Sequence, residues 1–215
     1  MNISQFVANL NRISIEDFYH YQTVHTMKLF SLALLLIINS INIGYAQEVV
    51  IDFEGDGITD KAFLKSTEEF ISIHYTLSTQ KNKQFSSQKI SYKGDQAFIS
   101  TSKNVLKIDV QFMRGESHYK FRFDKISGQV ILIGYDNVQY GNATNDGSGS
   151  YSFNLINGNY EATWHHFDIK KEKLIELPKI SKKLPTKKYP LLGFSDKIID
   201  ELMDIDYQLT PSILK

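Results

Sequence analysis

Hydrophobic and polar residues alternate with a period of two over most of residues 69–170 of this chain. The clearest stretch is residues 106–112, in which Leu106, Ile108 and Val110 are separated by polar residues. Residues 119–123 repeat the pattern, with Tyr119 and Phe123 at its ends. Because successive side chains of a strand point to opposite faces, this period predicts strands that bury one face.

The same reasoning predicts strands beside these two along the chain. Short turns at residues 114–116 and 125–128 carry glycine and separate apolar runs, which is typical of antiparallel hairpins. Further strands are predicted at residues 49–51, 62–64, 70–77, 89–92, 97–100, 130–133, 151–155 and 160–169. The predicted fold is mainly β: an antiparallel meander that forms a sandwich or an open curved sheet, with one short C-terminal helix.

The alternation stops after residue 169, where lysine and proline become frequent. Residues 170–188 hold eight basic and two acidic residues, and three prolines between 178 and 190 oppose regular strand pairing. We interpret residues 170–194 as a Lys/Pro-rich linker. Without interleaved aromatic residues this run does not indicate a nucleic-acid partner. Residues 195–215 are predicted to form a helix and tail, with Ser195 as N-cap and a helical apolar face through residue 203.

An export signal is predicted ahead of the strands, at residues 27–46. Lys28 precedes an apolar run, and Gly44 and Ala46 supply the small residues that a signal peptidase reads, so cleavage is expected after Ala46. This predicts a periplasmic or secreted protein that contacts the membrane only transiently, although an uncleaved anchor is the alternative. Residues 1–26 are interpreted as a disordered upstream extension from a mis-called start codon.

Composition adds few constraints. The chain has no cysteine, which excludes both a disulfide scaffold and a lipid-modified cysteine at the cleavage point. The length after residue 46 suits one domain that can bury a core without such crosslinks. We place that antiparallel β domain at residues 47–169.

Four carboxylates crowd into nine residues near the start of this domain, at residues 52–60. Their spacing matches a calcium loop, in which alternate positions supply oxygen ligands and a glycine, here Gly57, permits the sharp turn. The predicted metal ligands are the side chains of Asp52, Glu54, Asp56 and Asp60 and the carbonyl of Ile58. A polar turn without a metal is the alternative, since Asp and Gly are common turn residues.

The segment D-x-E-G-D-G-x-x-D between two short strands resembles the calcium loop of FG-GAP and VCBS-type repeats, which also occurs singly in small secreted bacterial proteins of unknown function. Residues 119–157 are similar to a strand-rich region of those proteins. The resemblance implies a structural calcium ion and supplies no activity. Where that family usually has Asp or Asn, this chain has Glu54.

No catalytic motif accompanies these features, and we assign no catalytic residue. The pair His165 and His166 follows Trp164, but neighbouring strand residues face opposite sides, which makes the pair poor co-ligands. The alternative to a binding module is a secreted hydrolase that uses Glu161 and Asp168 with one of these histidines. His74 and His118 lie on other predicted strands and could meet one of them.

A non-catalytic module would need a surface for its partner, for which we expect a protein, a glycan or an envelope component. Residues 141–150 are rich in Gly, Asn and Ser and predict a solvated loop that is mobile unless it is ligated. The many aromatic residues of the strands are expected to fill the inner face of the sheet, although an exposed row would suit a sugar. The most economical interpretation is an exported, calcium-stabilised β module without chemistry.

Overall fold

The computed structural model of the chain describes residues 47–91 and 96–214. The expected upstream extension, residues 1–26, and the expected signal peptide, residues 27–46, lie outside this part of the chain. All described residues belong to one compact unit.

The first sheet contains five strands in the order β1-β2-β3-β4, with β5 beside β4 on the same edge of β3. Every pairing within it is antiparallel. The strands are β1 (Gln47–Ile51), β2 (Asp60–Ser66), β3 (Phe70–Leu77), β4 (Lys83–Ser86) and β5 (Ile90–Ser91). A 3-10 turn, Ser78–Gln80, lies in the connection between β3 and β4.

The second sheet has eight strands, and its first six follow chain order. They are β6 (Gln96–Ser102), β7 (Val105–Phe112), β8 (Gly115–Asp124), β9 (Gln129–Gln139), β10 (Gly149–Asn154) and β11 (Asn159–Asp168). β12 (Lys173–Glu176) and β13 (Ile180–Lys183) both pair with the free edge of β11. This order is the predicted antiparallel meander, and it confirms a mainly β fold.

Burial along the strands follows the predicted alternation, most regularly in β3 and β8. The inward side chains of both sheets form one hydrophobic cluster, to which Ile73 of β3 and Ile108 of β7 belong. The sheets also meet at their edges, where the Ile99 amide of β6 donates to Gln47 Oε1 of β1 at 3.0 Å. The two sheets therefore enclose a single core.

The segment after residue 169 differs from the expected linker. Besides β12 and β13 it contains a 3-10 turn, Leu191–Gly193, and Tyr189, Leu191 and Phe194 are buried in the common core. The Leu132 amide donates to the Tyr189 carbonyl, while the Phe194 carbonyl accepts from the Gln88 amide, between β4 and β5. Residues 170–194 are thus part of the β domain, because apolar residues scattered among the lysines have a core to fill.

The helix near the C-terminus, α1 (Asp196–Leu209), starts after Ser195 as predicted but extends six residues past residue 203. The Ser195 hydroxyl makes no capping hydrogen bond. Instead Asp196 in the first turn accepts from the Ser91 amide and hydroxyl. Leu202 and Asp206 are buried against the sheets, so the helix docks on the domain. Among the described residues, no helix combines the length and apolarity needed to cross a membrane.

Candidate functional site

The loop of residues 52–59 connects β1 to β2, and its conformation follows from its sequence. Phe53 is 1% exposed and packs edge-on against Tyr75, with ring centroids 5.9 Å apart, which anchors the loop in the core. Gly55 and Gly57 have φ angles of 73° and 82°, a region that favours glycine because a Cβ crowds the backbone there. The acidic side chains between these anchors are held in a tight turn.

Asp52 is turned towards the amides of its own loop. Its Oδ1 accepts from Gly55 at 2.7 Å and from Asp56 at 3.2 Å, and its Oδ2 accepts from Gly57 at 2.9 Å. These hydrogen bonds, that from Gly57 most of all, hold the pKa of Asp52 below its ordinary value, although burial acts in the opposite direction. Asp52 thus shapes the loop in its ionised form.

The other three carboxylates of the loop meet at the 3-10 turn after β3. The Ser78 hydroxyl lies 2.8 Å from Glu54 Oε2 and 3.2 Å from Asp56 Oδ2. The Ser78 amide donates to Asp60 Oδ1 at 2.6 Å. Glu54 also accepts from the amide and the hydroxyl of Thr79. Since one hydroxyl carries one proton, Glu54 and Asp56 share a single donor.

Asp60 is the most deeply buried of these acids, at 1% exposure. Burial raises the pKa of its carboxyl above the ordinary value. Hydrogen bonds from the Phe53 and Ser78 amides oppose this rise, and the nearby charges of Glu54 and Asp56 add to it. The loop therefore concentrates negative charge around Ser78, where a cation would relieve the repulsion.

The structure does not bring all five predicted ligands to one centre. Glu54, Asp56 and Asp60 converge, Asp52 faces the loop amides, and Ile58 contributes an amide that donates to Asp56 Oδ1. Among the described residues, no group of three or more acidic or histidine side chains is arranged as a metal site. The donors are all hard oxygens of the type that calcium prefers, but Ser78 lies between them.

Ser78 and Thr79 were missed by sequence reasoning. The signal was present in the pairing of strands: β2 continues from the loop and pairs with β3, so the turn after β3 lies next to the loop. Two hydroxyl residues at that turn are suitable donors for acidic side chains. The loop spacing alone gave no reason to look 18 residues away from Asp60.

His118 does meet carboxylates, on the outer face of the second sheet. Its Nδ1 lies 2.6 Å from Asp109 Oδ1 and its Nε2 lies 3.7 Å from Glu116 Oε1. All three side chains are partly exposed, between 27% and 30%. The register of β7 and β8 places Asp109 opposite His118, so this group is a cross-strand contact between half-buried polar side chains.

The residues considered for a hydrolase have separate partners. Glu161 pairs with Lys179 at 2.8 Å and Asp168 with Lys171 at 3.2 Å. Glu161 and Asp168 are an odd number of positions apart along β11, so their side chains lie on opposite faces of the strand. His165 and His166 also have separate partners, because they contact different groups in the loop of residues 141–150. Nothing in this arrangement assembles a nucleophile, base and acid.

The loop of residues 141–150 is held in place by hydrogen bonds to β11. Asp146 Oδ1 accepts from the Phe167 amide at 2.7 Å and lies 3.0 Å from His166 Nδ1. The hydrogen bond from the Phe167 amide is the main cause that holds the pKa of Asp146 below its ordinary value. Burial opposes this lowering, and the contact with His166 adds to it. His165 is 3.4 Å from the Ser148 carbonyl. Hydrogen bonds to β11 therefore fix the position of this loop.

The aromatic residues of the second sheet fill the core, as the sequence suggested. Three aromatic residues in or beside this sheet are exposed, Phe98 at 36%, Phe112 at 37% and Tyr140 at 49%. The buried members are Tyr119, Tyr135, Tyr151, Tyr160 and Trp164. No exposed row of these rings offers a stacking platform for a sugar within the described residues, so aromatic stacking does not identify a glycan site.

The chain was compared with protein-family models, with curated proteins and with solved structures, and none of the three comparisons gives a match. The resemblance of residues 52–60 to an FG-GAP or VCBS-type loop therefore stays a prediction.

Proposed function

We propose that the protein is an exported, non-catalytic β module that is stabilised by a divalent cation, calcium, at residues 52–60 and that binds a protein, a glycan or an envelope component. The observation that carries the proposal is the meeting of Glu54, Asp56 and Asp60 at Ser78. Three carboxylates around one serine leave negative charge only partly compensated, which is the condition under which a hard cation binds.

The residues that would hold the ion are those three carboxylates, with Asp52 shaping the loop from within and the Ile58 carbonyl as the remaining predicted ligand. A bound calcium would supply positive charge to the loop and no chemistry. Extracellular calcium modules have dissociation constants on the order of 10⁻⁴ to 10⁻³ M. A site of that strength stabilises a fold outside the cell.

The first test measures thermal unfolding of residues 47–215 in calcium, in magnesium and in a chelator. We expect millimolar calcium to raise the melting temperature over the chelator, because an ion that binds only the folded state stabilises it by mass action. Asp56→Asn keeps an oxygen for the Ile58 amide but removes the charge, and should abolish the calcium response. Asp204→Asn, an exposed acid on α1, should leave that response unchanged.

A second variant separates a metal site from a hydrogen-bonded turn. Ser78→Ala removes the hydroxyl that Glu54 and Asp56 share. If the loop is held by that hydroxyl alone, Ser78→Ala destabilises the protein equally with and without calcium, and wild type ignores the metal. That outcome would overturn the cation part of the proposal.

Export is tested separately. The full chain is expressed in a bacterial host, fractions are collected, and the mature N-terminus is read by mass spectrometry. We expect the protein outside the cytoplasm with Gln47 as its first residue. Retention in the cytoplasm with an intact N-terminus would contradict the export part.

A further inference from the structure

A cavity of about 420 Å³ opens where the two sheets meet α1. Its size lies within the range of about 300–1,000 Å³ that is usual for small-molecule sites. It shares no residue with the loop of residues 52–60, so an inference drawn from it does not depend on the cation.

The floor of the cavity is apolar and belongs to the core. Ile71 and Ile73 come from the first sheet, Ile108 comes from the second, and each is at most 3% exposed. Phe194, which precedes α1 in the chain, also lines the cavity and is 1% exposed. A molecule that enters here contacts aliphatic and aromatic side chains, so its body must be apolar for the transfer from water to be favourable.

The mouth of the cavity carries negatively charged side chains. Among the described residues, Asp196 and Asp200 are the only charged ones in its lining, and both are on α1. Asp196 is engaged by the Ser91 amide and hydroxyl, at 2.9 and 2.7 Å. No side-chain hydrogen bond or ion pair among the described residues involves Asp200, which is exposed. One unpaired carboxylate thus stands at the entrance.

The surroundings strengthen this negative charge. α1 carries five acidic residues and one lysine, and within residues 47–91 and 96–214 no basic residue lines the cavity. Two large apolar side chains, Phe112 and Met203, border the opening and are 37% and 51% exposed. An apolar body that passes this rim would leave a head group beside Asp200, where a positive charge is favoured and a negative charge is repelled.

We propose that this cavity binds a small molecule with an apolar body and a single cationic group, such as an alkylammonium or arylammonium ion. The body occupies the space between the sheets, and the ammonium group pairs with Asp200 at the mouth. This gives the module a small-molecule ligand in addition to the partner proposed above.

The test compares three probes of equal chain length: octylammonium, octan-1-ol and octanoate. Binding to residues 47–215 is followed by calorimetry and by NMR shifts of the methyl groups of Ile73 and Ile108. We expect octylammonium to bind about fivefold more tightly than octanol, as an exposed charge pair allows, and octanoate to bind most weakly. Equal affinity for the ammonium and the carboxylate would overturn the proposal.

Matched variants locate the site. Asp200→Asn should remove the preference for octylammonium over octanol and leave octanol affinity unchanged. Asp204→Asn, on the same helix but outside the lining, should keep the preference. Met203→Trp enlarges a half-exposed rim residue and should weaken all three probes while the melting temperature is unchanged. Binding that survives Met203→Trp, or a preference that survives Asp200→Asn, would place the ligand elsewhere and contradict the proposal.

Discussion

Glu54 is 7% exposed and stands at a position where the FG-GAP and VCBS-type loops that this segment resembles usually have Asp or Asn. Its extra methylene lets the carboxylate reach the Ser78 hydroxyl at 2.8 Å and the Thr79 amide at 3.3 Å. The side chain therefore connects the loop to the turn after β3. A shorter acid at this position could serve a cation but would lose that connection.

Glu54→Asp tests this connection. We expect the variant to lose about 1 kcal/mol of unfolding free energy in the chelator, since hydrogen bonds to Ser78 and Thr79 are lost. Urea unfolding with and without calcium measures the change. Glu48→Asp on β1, an exposed acid, is the control and should be near neutral. Unchanged stability of Glu54→Asp in the chelator would show that the connection contributes nothing.

Asp206 is a buried acid that titrates within an accessible range. Burial raises its pKa to about 6, while the hydrogen bond from Tyr160, 2.5 Å long, acts in the opposite direction. Between about pH 4 and pH 6 the folded state keeps a proton that the unfolded state has lost. This group's contribution to stability is therefore lost as pH rises through that window.

Asp206→Asn removes the titration and keeps an acceptor for the Tyr160 hydroxyl. Relative to wild type, the unfolding free energy of the variant should improve between pH 4 and pH 7 by as much as about 3 kcal/mol. Urea unfolding at several pH values measures this. Tyr160→Phe is the companion variant and should be more destabilising at pH 7 than at pH 4, because it leaves a buried carboxylate unpaired. Parallel pH profiles for wild type and Asp206→Asn would contradict the assignment.

The segment from β12 to α1 shows how a polar-looking stretch can be structural. Its lysines face solvent, and several form ion pairs with acids of the domain, as Lys188 does with Asp124 at 2.8 Å. Its buried side chains Tyr189, Leu191 and Phe194 point into the core, and the Tyr189 carbonyl accepts from β9. The segment joins the two sheets along one side and positions α1.

Phe194→Ala should cost about 3–5 kcal/mol of unfolding free energy, the usual range for removing a buried phenylalanine. Its ring contacts Tyr119 and Phe121 edge-on, with centroid distances of 5.2 and 5.1 Å. Leu192→Ala, two residues away and 48% exposed, is the control and should cost much less. Similar small effects for both variants would indicate that the segment behaves as a linker.

The two sheets share one hydrophobic cluster, with the edges of β1 and β6 in contact. Neither sheet has a complete core of its own, because the inward face of each is covered by the other. This arrangement predicts that the described domain unfolds as one cooperative unit.

Trp164 is the single tryptophan of the chain and lies in the second sheet, so its fluorescence reports on that sheet alone. Denaturant transitions followed by this fluorescence and by far-ultraviolet circular dichroism should coincide. Ile73→Val, in the first sheet, should shift both by about 1 kcal/mol. Separate transitions, or a fluorescence transition that ignores Ile73→Val, would show that the sheets unfold independently.

The local pattern of residues was sufficient for most of the strands and for the start of the helix, but it missed β4, β12 and β13. Period-two alternation predicted β3 with its observed bounds, and it predicted each strand of the β6 to β11 meander, although β9 extends six residues past its predicted end at residue 133. These features depend on neighbours in sequence, which decide the face of a strand and the position of a turn. The same local signal located the acidic loop at residues 52–60 and the glycines that its backbone requires.

Contacts between distant residues were decided by the tertiary structure alone. The loop's donors Ser78 and Thr79, the burial of Phe194 and the cavity beside Asp200 each depend on how the sheets and α1 come together. A proline or lysine in the sequence reports a local preference, whereas burial depends on what packs against it. For this reason residues 170–194 could be mistaken for a linker, although their apolar residues complete the core.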